Sequence, residues 1–240
     1  MKKKLSLILI ACLILALGLV AGCGGDNDKN KEAGTPDKTP ATKLVVGVIG
    51  EPHTEMLKMV KPKLAEEGVD LVLKDFTDYS QLNPALKDGQ IDANFFQHIP
   101  YLEDFNAETN SDLVWTVKMH TEPMRIYSKK IDKLDKLPDK ATVGIPNDPS
   151  NSGRALAVLQ SAGLIKLKEG AGVTATTRDI VENPKKLDIK MADAATLPRV
   201  LDDAAICCIN TNYALDAKLD PMSALFVEPG DSPFANVLVV

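Results

Sequence analysis

The sequence predicts an α/β protein of two lobes, and three observations carry that reading. Valine- and isoleucine-rich segments alternate with helix-patterned ones, which implies parallel sheets with helices on both faces. The alternation comes in two runs, joined by an extended segment, TEPMRIYSKK (residues 121–130), suited to crossing between sheets. The chain has 240 residues, 45% hydrophobic and 25% charged, an ordinary globular composition with length enough for two cores.

The first run opens abruptly with KLVVGVIG, a strand ending in glycine. His53 to Glu67 follows with Met56, Met59, Val60 and Leu64 near helical spacing, and Pro62 predicts an early stop or a kink. VDLVLKDF is a second strand, Asp78 to Leu86 a short helix, and DGQIDANFF a turn into a third strand. Pro100 then suits the first turn of a helix, and Leu113 to Met119 is a further strand. The second run reads ATVGIPND (strand), Ser152 to Ala162 (helix), LDIKMA (strand), Thr196 to Asp202 (helix), AAICCIN (strand) and Tyr213 to Leu219 (helix). SPFANVLVV reads as a last strand, and the sequence stops inside its apolar run. The expected division is lobe 1 at 43–127 continued by 232–240, with its C-terminal part truncated, and lobe 2 at 128–231.

The first 22 residues stand apart. Lys2, Lys3 and Lys4 precede an apolar run from Leu5 to Val20 that is short for a membrane span, and Ala21-Gly22 leads to Cys23. That is the layout of a secretory signal peptide. The tetrapeptide Val20-Ala21-Gly22-Cys23 resembles the lipobox of bacterial lipoproteins, which implies cleavage before Cys23 and lipidation of it. Residues 23–42 would then be the lipidated cysteine and a flexible leash, rich in Gly, Asp, Asn, Lys, Thr and Pro. Losing three lysines and no acids moves the net charge from -5 to about -8. An acidic chain without a basic stripe is no candidate for nucleic acid.

Of the four cysteines, Cys207 and Cys208 are adjacent in an apolar run and read as half-buried strand residues rather than a strained vicinal disulfide. His53, His98 and His120 show no metal-ligand spacing, and no GxSxG, P-loop or GxGxxG occurs. Neither an enzyme nor a cofactor is expected.

Binding features are stronger. In PNDPSNSGRALAVLQ a strand ends and Ser150 to Gly153 opens a helix, whose free N–H groups attract anions and whose small residues admit a ligand closely. Arg154 in its first turn could grip a carboxylate with two parallel hydrogen bonds, or be an ordinary surface charge. In FFQHIPY, Phe96, His98 and Tyr101 could line an apolar slot; core packing fits them equally, and is preferred for Phe95 on the opposite face. Asn210 and Asn236 are strand-edge amides carrying both donors and acceptors.

Taken in order, DANFFQHIPYL, EPMRIYSKKI, VGIPNDPSNSGRAL, IVENP, LPRVLDD, INTNYAL and SPFANVLVV resemble the NlpA-type methionine-binding lipoproteins from Leu44 to Val240. The resemblance implies a two-lobe periplasmic-binding-protein fold, type II-like, clamping its ligand in the cleft between lobes. It implies a lipid-anchored receptor on the extracytoplasmic face of the cell membrane, delivering methionine to an ABC importer with permease and ATPase subunits. By the same resemblance Tyr79, Phe96, His98 and Tyr101 would surround the methionine side chain, Arg154 would pair with its carboxylate, and Asn210 and Asn236 would hold its polar groups. The Cys207-Cys208 pair departs from the smaller or aliphatic residues expected there. Alternatives are a receptor for another small amino acid or a methionine-containing dipeptide, and a surface interaction lipoprotein without transport.

Overall fold

The computed structural model describes residues 42–230 and 233–240. The signal peptide, Cys23 and nearly all of the leash lie outside the described residues. Among the described residues, no helix is long and apolar enough to cross a membrane.

The first run forms strands β1 (Thr42–Val48), β2 (Val69–Asp75), β3 (Ala93–His98) and β4 (Trp115–Thr121), with helices α1 (His53–Glu66), α2 (Leu82–Lys87) and α3 (Ile99–Thr109). The second forms β5 (Arg125–Tyr127), β6 (Thr142–Pro146), β7 (Lys166–Leu167), β8 (Ile180–Glu182), β9 (Asp188–Ala192), β10 (Ile206–Ile209) and β11 (Phe226–Val227), with α4 (Pro149–Ser161), α5 (Leu197–Val200) and α6 (Thr211–Asp216). The last strand is β12 (Ala235–Val239). One sheet runs β2-β1-β3-β12-β4 and the other β11-β5-β10-β6-β9, while β7 and β8 pair separately. The chain thus changes sheets between Thr121 and Arg125 and returns after Val227.

The sheets are mixed, not wholly parallel. β1 lies parallel to β2 and β3, and β6 parallel to β9 and β10, as helix-bearing crossovers require. The strands where the chain changes sheets break the pattern: β12 is antiparallel to β3 and β4, and β5 to β10 and β11. Two further expectations are corrected. The early stop offered for Pro62 does not occur: helix α1 runs through it, and the proline sits on the exposed side, where solvent can serve the carbonyl that loses its donor. Cys207 and Cys208 are free thiols and fully buried, because β10 lies between β5 and β6 with both faces covered. Cys207 joins a cluster with Leu197 and Tyr213, Cys208 one with Ile126 and Leu156; the strand's two-residue period sends the thiols to opposite faces.

One core lies against the second sheet, around Ile126, Val143 and Leu156. Another lies against the first, around Val46, Leu71 and Phe95. A further cluster holds residues from both runs, Ile49, Tyr79 and Phe96 packing with Leu197, Ile209 and Tyr213. It places the ends of β3 and β10 close together.

Candidate functional site

At those strand ends lies a small, tightly walled cavity. Tyr79, Phe96, His98, Tyr101, Arg154, Asn210 and Asn236, all singled out from the sequence, line it together. Glu122, Asn151 and Asn212, which sequence reasoning passed over, line it too. Strand carboxyl ends are where open α/β sheets gather their sites.

Its aromatic side comes from the first run. Tyr79 sits in a 3-10 turn capped by the Asp78 side chain, Phe96 on β3 and Tyr101 in the first turn of α3. Their ring centroids form a triangle, Tyr79–Phe96 at 5.6 Å, Phe96–Tyr101 at 5.6 Å and Tyr79–Tyr101 at 6.0 Å, while Tyr213 backs Tyr79 at 4.7 Å. Phe95 points the other way, fully buried, against the edge of His53.

His98 ends β3 and caps α3. Its Nδ1 accepts the Tyr101 backbone N–H at 3.2 Å, so Nε2 carries the proton and donates to Asn151 Oδ1, also at 3.2 Å. Burial, reinforced by the charge of Arg154, lowers the imidazole pKa to about 3. His98 therefore faces the cavity as a neutral ring with both nitrogens engaged.

The start of α4 differs from the expected open anion site. Asp148 is its N-cap and accepts the backbone N–H of Asn151 at 2.9 Å, so the helix start carries its own carboxylate. Gly153 is small for a reason other than ligand approach: a Cβ there would sit 2.2 Å from the Val173 carbonyl oxygen.

Arg154 is buried, and its fork closes on Glu228 rather than standing open. Nε donates to Glu228 Oε1 at 2.9 Å, and Nη2 to Glu228 Oε2 at 2.5 Å and to the Glu122 carbonyl at 2.6 Å. The guanidinium stacks on Phe234, 4.5 Å from the ring centroid. Nη1 makes no hydrogen bond to the described residues.

Around it stand three amides. Asn210 donates to Asn151 Oδ1 at 2.8 Å, and its own buried Oδ1 has no partner among the described residues. Asn236 donates to Glu122 Oε1 at 2.9 Å. Asn212 Oδ1 accepts the Tyr79 hydroxyl, leaving a buried Nδ2 without a partner among the described residues. Glu122 is the hub on the Asn236 side, contacted through Oε1 by His120 Nε2 at 2.5 Å and His53 Nε2 at 3.0 Å. Burial raises its pKa, but the hydrogen bonds from His120 and His53 outweigh that and bring it down to about 2. These three side chains are of metal-ligand type. Their contacts are shorter than the roughly 3.3 Å spacing of ligands around a zinc ion, and they read as a hydrogen-bonded knot.

The NlpA lipoprotein family model matches residues 44–240. This chain belongs to that family. The expectation drawn from the seven quoted segments is met over the whole length they span. The D-methionine-binding lipoprotein MetQ of Escherichia coli K12 is 43% identical over 235 residues, covering 96% of this chain and 82% of its own length. A nutrient-binding protein from Burkholderia cenocepacia, solved bound to methionine, is 44% identical with a TM-score of 0.79, covering 82% of this chain and 84% of that one. The lipoprotein Tp32 of Treponema pallidum is 40% identical with a TM-score of 0.79, covering 83% of each chain. Members of this NlpA family are lipoproteins, which implies a membrane-associated, extracytoplasmic setting, and the family's two-lobe substrate-binding fold is the fold found here.

Proposed function

We propose that this chain is a non-catalytic receptor for methionine, most simply L-methionine, that hands its ligand to an ABC importer. The observation that carries the reading is the polarity of the cavity: an aromatic cage faces an arginine and several amides across the same small space. A thioether is polarizable and gains from aromatic walls, contributing about 1.5–3 kcal/mol through burial. A zwitterion needs one cationic and several amide partners, because each end must be paired once water is lost. In this reading Tyr79, Phe96, His98 and Tyr101 wall the side chain, Arg154 Nη1 meets the carboxylate, and Asn210 and Asn236 hold the α-carbon groups. A relative solved with methionine and another named for D-methionine support methionine as the ligand.

The same proposal includes permease and ATPase subunits as partners, a lipid anchor on Cys23 at the extracytoplasmic face, and two lobes, with the expected boundary at 127/128 moved to between Thr121 and Arg125 because β5 lies in the second sheet. Isothermal titration of the mature chain with an amino-acid panel tests the ligand. Methionine should give the largest affinity, and equal affinity for leucine would overturn the selectivity.

A further inference from the structure

Asn210 places an amide oxygen at the cavity with no partner among the described residues, although the residue is 7% exposed. An amide can turn over and exchange its donor and acceptor ends, so something must hold it in that sense. The chain of contacts behind it shows what does. Asp148 can only accept when ionised, and both its oxygens face Asn151 Nδ2, at 2.9 and 3.1 Å. The NH2 group of Asn151 is therefore turned to Asp148, and its Oδ1 to the opposite side. That oxygen receives His98 Nε2–H at 3.2 Å and Asn210 Nδ2 at 2.8 Å. Asn210 is obliged to donate backwards and to present Oδ1 forwards. Asn236 is set in the same sense by a second acceptor-only group, Glu122 Oε1 at 2.9 Å. Asn212 has no such constraint, since the Tyr79 hydroxyl it meets can both donate and accept.

We infer that Asp148 and Asn151 are positioning residues that lock Asn210 with its carbonyl oxygen toward the cavity, making a protonated amine on the ligand a requirement for tight binding. The inference rests on the receptor reading above and deepens it. It assigns the ammonium to amide oxygens fixed from behind by two carboxylates, the half-buried Asp148 and the buried Glu122. The discriminating ligands are an α-amino acid and the acid that lacks its amine, such as methionine against 4-(methylsulfanyl)butanoate.

Titration calorimetry of the wild type, Asp148→Asn and Asn151→Ala with both compounds tests this. Asn at 148 still caps α4 but can also donate, which frees Asn151 to turn over. Asn151→Ala keeps the Asp148 charge and breaks the chain of contacts, so a shared effect is not one of charge alone. The preference for the amine should shrink about tenfold in both variants, while thermal unfolding shows each still folded. Folded variants that keep the wild-type preference overturn the relay and leave the receptor reading standing. Failure of the wild type to bind methionine overturns the methionine reading. The pair is then read with the amino acid that does bind, and a wild type indifferent to its amine overturns the relay as well.

Discussion

The two sides of the cavity are built in different ways. The aromatic side is local: Tyr79, Phe96 and Tyr101 fall within a few elements of one another, and their rings touch directly. The polar side is assembled from distant pieces, with Arg154 held by Glu228, Asn210 by Asn151 and Asn236 by Glu122. Dispersion and burial are non-directional, so an aromatic wall tolerates small shifts. Hydrogen bonds in a dry cavity are not tolerant, and each donor needs a second group behind it to fix its angle. The polar side should therefore fail abruptly on substitution and the aromatic side gradually.

The largest expected effect is at Arg154. Arg154→Ala takes the guanidinium from a buried carboxylate and should cost folding about 3–5 kcal/mol, in addition to removing the ligand's cation. Chemical denaturation reads the first and calorimetry the second. A variant with wild-type stability would show that the Glu228 pair holds nothing. Next is Phe96→Leu, which retains an apolar wall and should weaken methionine binding by only about 1–2 kcal/mol. A complete loss of binding would erase the contrast between the two sides.

Acid should weaken the fold through two groups of the cavity, His98 and Glu122. With its pKa held at about 2 against an ordinary 4.5, Glu122 takes up its proton later in the folded chain than in the unfolded one. Its contribution is full above pH 4.5 and is lost as pH falls toward 2. His98 acts in the same direction: held neutral down to about 3 in the fold, it takes a proton near 6.5 once unfolded, so stability falls below pH 6.5. Thermal unfolding between pH 7 and 2.5 should show a loss of a few kcal/mol, and Glu122→Gln should flatten its lower part. A pH profile identical to wild type would mean that the His53–Glu122–His120 knot carries no linkage.

The same contrast explains what the sequence made legible. Alternating strands and helices, and the segments around Phe96, Arg154, Asn210 and Asn236, announce the fold and the inner wall because each is a local pattern. Glu122, Asn151 and Glu228 stayed silent: an acid beside a proline and an asparagine in a helix cap look like ordinary loop chemistry. Only long-range pairing gives them their roles, and a Glu228 carboxylate 74 positions from Arg154 has no spacing to betray it. Pro62 inside α1 misled for a related reason, since a helix interior is judged by which face meets solvent and the periodicity there was too weak to say.

The smallest effect is the sharpest test of directional satisfaction, and it compares two stacked tyrosines. Tyr79 and Tyr213 lie 4.7 Å apart, both nearly buried. The Tyr79 hydroxyl donates to Asn212, whereas the Tyr213 hydroxyl is buried without a partner among the described residues. Removing the first leaves an amide oxygen unpaired, so Tyr79→Phe should cost about 1 kcal/mol or more. Removing the second deletes a desolvated group that gains nothing in return, so Tyr213→Phe should be neutral or stabilise by up to about 1 kcal/mol. Urea denaturation of the two variants side by side measures the difference. Equal losses would mean that the Tyr213 hydroxyl has found a partner of its own, and that this edge of the aromatic cage is as directional as the polar wall it faces.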